Sequence, residues 1–560
     1  VKGVFAELGN VLTRVSVRDG RPGDERVLFE EAIPTTVNLP YASPAEGLDL
    51  VLEAAAPSMP DTGPRAALYH YLGCPRTAVF GASGLATTEL SVQSALRRGG
   101  SSVVQVRVSD TAALEGQLIE LRGQPSDLLI FTGSGHQAAE RLMAGGGPTP
   151  RVLPAMAAIY NGPKADFSAF AEVLGSKVDL LQTPPLRSEA GDVDPLPTEE
   201  AIANVTARIL AADPLLEPAR RRGFTAVTFA AALTAGVEAL SGLWSERGPR
   251  DRGRDRGSGE IAYAHVGGRF LELAVTSRGE VFRLASELSP ASPAGPVPDV
   301  AAVGAWLPQA VAGAVLSEAL ANYLRRPFSF PSTWQQVLLL AALARERLLE
   351  ARGAFRAPAG TGDWRSRIGA YIAGGGYLRH LPGPGMALAV ALDGLQPLGV
   401  SEVYCDRRDA VPFTGALRRS APAPAAGFDI EITRLATVVA PVRLVLNWRR
   451  PHEDDLLAVV TVKRSDGKET TFRITPGSLV RFPLRPGEPA ELAVSPLREH
   501  DFGAGPGREW RGRVVGGRLG LVFDARGRPI ALPADVEVRE SKLREWLNTL
   551  DAGAPWGGVP

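Results

Sequence analysis

Glu7 and His265 fill the same slot in two stretches of this chain, VFAELGNVLTRVSVRDGR from Val4 and IAYAHVGGRFLELAVTSRGE from Ile261. Each reads as an apolar strand, a tight turn containing glycine, a second apolar strand and a second turn. A glycine turn of this kind lets backbone N–H groups approach a bound anion, because no Cβ stands in the way. The candidate phosphate-binding groups are Gly9 and Asn10, with Thr13 supporting the turn, in the first stretch, and Gly267 and Gly268 in the second. Glu7 stands where a carboxylate is wanted beside Mg²⁺. His265 cannot serve there in the same way, since Mg²⁺ takes oxygen ligands and keeps several waters. Arg269, just after the second turn, could offer positive charge to phosphate oxygens. Taken alone, the first stretch is better read as a plain hairpin with one polar residue turned inward, since short glycine turns are common.

Other glycines sit at strand ends. Gly374-Gly375-Gly376, before Tyr377, would let an adenine-ribose group lie against backbone, with the next helix start facing phosphate. A loop that needs positive φ explains that run equally well. Gly133-Ser134-Gly135-His136 follows the strand DLLIFTG, and Ser83-Gly84 follows TAVFGA, each at the mouth of an open α/β sheet. No G-x-S-x-G elbow surrounds Ser134, so a nucleophile reading with His136 lacks support. His452-Glu453-Asp454-Asp455 and His500-Asp501 read as solvated loops.

The elements that must position these residues alternate in type. From Val4 to about Trp244, strands and helices succeed one another, which predicts an α/β domain around a central sheet. The Arg/Gly-rich stretch 246–260 reads as a flexible linker. A second α/β part covers 261–428, and short alternating runs from 429 to 535 (VRLVLNW, LLAVVTVK, TTFRI, AELAVS, LGLVFD) predict an all-β module of hairpins. An amphipathic helix near Glu540–Leu550, with Trp546 on its apolar side, opens a C-terminal piece of 536–560. Two hairpins of one kind in one chain, the parts 1–245 and 261–428, predict a duplicated fold that faces itself across a phosphate-sized cleft. That is the architecture of actin, the sugar kinases and the heat-shock ATPases.

Composition sets bounds on function. Lys+Arg and Asp+Glu balance at 61 each, so no overall field draws in nucleic acid or an anionic membrane. Two cysteines, Cys74 and Cys405, make neither a disulfide framework nor a cysteine zinc site, which fits a reducing compartment. The six histidines show no metal-ligand spacing. No basic segment followed by an apolar stretch opens the sequence, so the expected location is the cytoplasm. TAVTFAAALTAGVEALSGLW (Thr225–Trp244) is long enough to span a bilayer, but its Ala, Thr, Gly and Glu238 favour a buried helix.

In order and spacing, these motifs resemble the MutL/GlmL family, the accessory proteins of the B12-dependent glutamate mutase. LGNVLTR followed by IPTTV (Ile33–Val37) falls where the family has D-x-G-x-x-x-T-K and then P-T-T. ASGLATTELSVQSALRRGG, DLLIFTGSGHQ, AAIYNG and AHVGGRFLEL follow in family order. GGYLRHLPGPGMALAVALDGLQPLGV is the most family-like stretch, and GRLGLVFDARGRPIALP is similar to a C-terminal module of some members. The resemblance implies an actin-like ATPase fold that takes ATP or ADP with Mg²⁺ and serves a radical B12 mutase, exchanging damaged cobalamin for intact cofactor.

The chain departs from that pattern at the chemistry. Glu7 replaces Asp and Arg14 replaces Lys in the first hairpin. His265 replaces Asp in the second, and Arg269-Phe270-Leu271-Glu272 replaces Ala-Thr-Thr-Asp. A Gly-Gly-Thr-Asp-Gly-Gly loop has become Gly133-Ser134-Gly135-His136-Gln137. Losing acids and hydroxyls together weakens Mg·ATP binding more than it weakens the fold. The expectation is a degenerate scaffold that binds a protein partner, such as a B12 mutase or a relative, with weak or no ATP hydrolysis. Two alternatives stay open. One is a working ATP-driven reactivating chaperone in which Asp393 or Glu272 completes the site; the other is an interaction module acting through the C-terminal β-region. No nucleic-acid or membrane partner is expected, and a homodimer is left open.

Overall fold

In a computed structural model, the protein is described at residues 2–9, 12–19, 26–35, 44–69, 77–81, 128–132, 157–161, 167–168, 171–172, 179–184, 196–247, 260–268, 270–287, 299–325, 329, 331–355, 363–421, 430, 432–446, 448, 456–497 and 500–552. Asn10, Ser83-Gly84, Gly133-Ser134-Gly135-His136, Arg269, the linker core 248–259 and 452–455 lie outside the described residues. Contacts divide the chain into two units, Val1–Gly236 with Val411–Asp429, and Val237–Ala410 with Ile430–Pro560.

The first unit holds a five-stranded sheet made of β1 (Lys2–Leu8), β2 (Leu12–Asp19), β3 (Arg26–Pro34), β4 (Arg65–Tyr69) and, after four strands of a separate sheet, β9 (Thr225–Thr228). Its order is β3-β2-β1-β4-β9. The first two pairings are antiparallel and the next two parallel. The separate sheet is all parallel and runs β5 (Thr77–Gly81), β6 (Leu128–Thr132), β7 (Ala157–Asn161), β8 (Asp179–Thr183).

Alternation along β1 and β2 sorts their side chains onto two faces. Val4, Ala6 and Leu8 share one face with Val15 and Val17, packed with Leu48, Val51 and Leu52 of the helix Pro44–Ala55. Phe5 and Glu7 share the other face with Arg14, Ser16 and Arg18, by the register Phe5↔Ser16 and Glu7↔Arg14. That face is buried at Arg14 and Arg18 all the same. The Arg18 guanidinium lies 4.3 Å from the ring of Phe413, and Phe5 meets the same ring edge-on at 5.0 Å.

The second unit repeats the plan. β10 (Ile261–Val266), β11 (Phe270–Ser277), β12 (Glu280–Glu287), β13 (Ala370–Gly374) and β14 (Gly399–Asp406) stand in the order β12-β11-β10-β13-β14. Again the hairpin strands are antiparallel and the next two pairings parallel. Two sheets with one strand order and one pattern of directions, each opening on a hairpin, constitute the duplicated actin-like fold.

Ala262, Ala264 and Val266 face the core with Leu271, Leu273 and Val275, beneath the buried helix Trp334–Ala354. That helix opens with a capping box between Thr333 and Gln336.

The sheet does not stop at β14. β15 (Thr433–Ala440) pairs antiparallel with it, and β21 (Leu521–Asp524) and β18 (Leu479–Phe482) extend the sheet to eight strands. β16 (Ala458–Arg464), β17 (Glu469–Ile474), β19 (Pro489–Pro496) and β20 (Trp510–Val515) form a four-stranded antiparallel sheet, order β17-β16-β19-β20. The helix Val536–Thr549 buries Trp546, whose indole N–H donates to the Gly477 carbonyl at 3.2 Å.

Two stretches fold differently from their sequence reading. Thr225–Thr228 is the strand β9 and helix begins at Phe229, because β4 offers a parallel partner there. Among its described residues, VRLVLNW makes only the bridge Leu444↔Arg528, since the segment opposite is a turn too short for a ladder. No helix among the described residues is long and apolar enough to cross a membrane.

Candidate functional site

The turn of the first hairpin closes by a hydrogen bond from the Gly9 N–H to the Leu12 carbonyl at 3.1 Å. A Cβ on Gly9 would stand 2.5 Å from that carbonyl oxygen, so the turn demands glycine for its own closure. Thr13 reaches the turn through Thr35. Its hydroxyl lies 3.1 Å from that of Thr35, which donates to the Gly9 carbonyl at 2.7 Å.

Glu7 is directly opposite Arg14 in the ladder, and its carboxylate accepts from the Arg14 guanidinium at 2.7 Å. Glu30 stands 3.5 Å from the same group. The Arg14 side chain is 2% exposed and that of Glu7 16%. A hydrated Mg²⁺ held by Glu7 would have a buried, permanently charged guanidinium within hydrogen-bond reach of its ligand. The residues present do not fit that ion.

In the second hairpin the equivalent pair is His265↔Glu272. The two side chains turn to other partners. His265 Nδ1 lies 3.8 Å from an oxygen of Asp409, both nearly buried. Asp409 is the close ion-pair partner of Arg379, which also donates to the Arg407 carbonyl at 3.0 Å. Glu272 forms a close ion pair with Arg283 of β12. Its place in the sequence made it a candidate metal ligand; the structure gives it a guanidinium instead. Asp393, the other acid considered for that role, lies 2.7 Å from both Arg345 and Arg526 in the interior.

β10 lies beside β13, with His265↔Gly374 in register, so the structure brings His265 and the Val266 backbone against Gly374 and Gly375. A Cβ on Gly374 would meet the Tyr263 hydroxyl at 2.5 Å. Gly375 has φ +94°, and a Cβ there would be 2.6 to 2.8 Å from Val266 backbone atoms. These two glycines are used in packing β13 against β10. Around Gly376, no described residue beyond its own helix and chain neighbours stands within 4 Å of a Cβ position.

Several residues at this strand end were not singled out from sequence. Tyr263 donates to Asp406 Oδ2 at 3.1 Å, and Asp406 Oδ1 accepts from the Ala410 N–H at 2.7 Å, at the start of the helix Ala410–Ser420. Burial, followed by the Asp406 and Asp409 charges, holds the Tyr263 hydroxyl far above the usual phenol range, so it remains a donor. Burial pushes the Cys405 thiol up to about 12, which makes it unreactive. His380 is lowered to about 4 by burial and by Arg379, against the opposing pull of Asp409. The signal in the sequence was Asp406-Arg407-Arg408-Asp409 directly after an apolar strand, where an acid can cap the next helix. Among the described residues no three His, Cys, Asp or Glu side chains are grouped so as to hold a metal ion.

No protein-family model matches the chain, and no curated protein matches it. Solved structures do match at low similarity. The PilM-PilN type IV pilus biogenesis complex is 13% identical over 77% of this chain and 99% of its own, with a TM-score of 0.28. A glycerol dehydratase reactivase is 10% identical over 75% and 99%, with a TM-score of 0.30. The xylulose kinase of Bifidobacterium adolescentis is 12% identical over 77% and 94%, with a TM-score of 0.27.

Proposed function

We propose that this protein is a degenerate actin-fold scaffold that binds protein partners and hydrolyses ATP weakly or not at all. The observation that carries the reading is the Glu7–Arg14 ion pair at 2.7 Å. It places a fixed cation against the carboxylate that a metal-dependent ATPase would keep for magnesium-bound water. The second hairpin supports the same reading, since His265 stands in the equivalent slot and Glu272 is paired with Arg283. Both changes leave the backbone plan of the two halves in place. Selection for turnover would act against them, whereas selection for a surface would tolerate them. In its specific form the proposal is a MutL/GlmL-like accessory role, with a B12-dependent mutase or a relative as the partner.

Calorimetry of the full chain with ATP and with ADP, with and without Mg²⁺, combined with a phosphate-release assay, tests this. The expected result is no Mg²⁺-dependent turnover above the protein-free rate, and nucleotide binding that is weak or absent. Mg²⁺-dependent turnover that disappears in Glu7→Ala would overturn the proposal and establish a working ATPase.

A further inference from the structure

Five charged side chains meet in the interior of the second unit. The helix Trp334–Ala354 brings Arg345, the helix Gly383–Leu395 brings Asp393, β21 brings Asp524, and the turn after it brings Arg526 and Arg528. None of the five side chains is more than 3% exposed. Asp524 accepts from Arg526 Nε and Nη2, both at 2.9 Å, and from Arg528 Nη2 at 3.0 Å. The remaining Arg528 donors end on the Pro397 carbonyl at 2.8 Å and the Gly527 carbonyl at 2.7 Å. Asp393 stands between the other two guanidiniums, 2.7 Å from Arg526 Nη1 and 2.7 Å from Arg345 Nε.

Three guanidiniums therefore share two carboxylates, and the cluster carries one positive charge too many. The shortfall can be located. Asp524 and Arg528 have their partners, and Arg526 is held by both acids. Arg345 has one acid 2.7 Å from its Nε, an ion pair without hydrogen-bond geometry, and its buried Nη1 has no acceptor among the described residues. The Trp306 ring lies 5.6 Å from the Arg345 guanidinium carbon and offers it a π-face, which takes no in-plane hydrogen bond.

A buried charge without a counter-charge is strongly disfavoured. Arginine cannot relieve it by losing a proton. A water molecule would give Nη1 an acceptor but leave the charge uncompensated. A multiply charged oxyanion would overshoot the deficit and needs more donors than one free guanidinium nitrogen supplies.

We infer that the interior of this unit holds a small monovalent anion of the halide class against Nη1 of Arg345. The anion restores neutrality to the Arg345–Asp393–Arg526–Asp524–Arg528 cluster. It thereby ties the helix Trp334–Ala354 to β21 and the turn after it. This inference is independent of whether the hairpins bind nucleotide.

The test is thermal unfolding of the full chain as chloride replaces gluconate at constant ionic strength. For an anion held at roughly ten-millimolar affinity, the midpoint rises by about 1–2 °C between none and 100 mM chloride, and the rise saturates. Bromide reproduces it, and Arg345→Met abolishes it. Should that variant fail to fold, crystals of the wild-type protein grown in bromide decide the matter, with an anomalous peak expected beside Arg345 Nη1. No saturable halide response and no bromide peak would mean that a water fills the place, and the inference falls. A response that survives in Arg345→Met, or a bromide peak only at the surface, overturns it as well.

Discussion

Positions 7 and 14 in one hairpin and 265 and 272 in the other are the same cross-strand pair, yet they are settled in opposite ways. In the first, acid and base answer each other directly, Glu7 to Arg14 across adjacent strands. In the second, His265 looks to Asp409 and Glu272 to Arg283, so each side chain depends on a segment outside its own ladder pair. The first arrangement forms as soon as the hairpin closes. In the second, Glu272–Arg283 closes with the next hairpin, and only His265–Asp409 requires the turn after β14 to be in place. A polar pair buried at one register position can thus be local property or tertiary property, depending on which neighbours carry charge.

Breaking the more deeply buried pair is expected to do the most damage. Glu272→Gln removes the charge facing Arg283, whose side chain is 3% exposed. The expected loss is about 3–5 kcal/mol of unfolding free energy, read by urea denaturation, as for other buried pairs robbed of one partner. Glu7→Gln is expected to cost less, about 1–2 kcal/mol, because Glu7 is partly solvated and Glu30 still faces Arg14. Equal losses, or a larger one for Glu7→Gln, would break the contrast between the two hairpins.

The same contrast explains what was legible in the sequence. The hairpins themselves were visible, because alternating apolar residues around a glycine turn are a local signal, and both strands of each pair lie within a few residues of one another. Their repetition pointed to the duplicated fold. The Glu7–Arg14 pair was within reach too, since closing Gly9 onto Leu12 sets position 7 opposite position 14. The fates of Glu272 and Asp393 were not legible. Their partners Arg283, Arg345 and Arg526 come from β12, from a buried helix and from the turn after β21. Nothing in the local pattern separates an acid awaiting a metal from one awaiting an arginine. The glycine run at 374–376 was ambiguous for a related reason: positive φ and close packing at Gly375 leave the same mark on sequence as a nucleotide would. The continuation of the sheet through β15 was hidden because alternation identifies a strand without naming its neighbour.

The smallest expected effect sharpens the comparison through pH, at the second hairpin's end of the molecule. His380 sits beside Arg379 and is half-buried, with its imidazole lowered to about 4. Unfolded histidine takes up its proton near 6.5. Between those values the unfolded chain binds a proton that the folded chain refuses, so stability is full above about 6.5 and declines as pH falls toward 4. Asp409, which pulls the imidazole the other way, limits the effect, as does the water that reaches a half-buried ring. His380→Gln has no proton to refuse and should therefore lose less stability than wild type over that window. Urea midpoints of both proteins at pH 7, 6, 5 and 4.5 provide the measurement. Parallel curves for the two would mean that neither burial nor Arg379 holds the imidazole below its unfolded value.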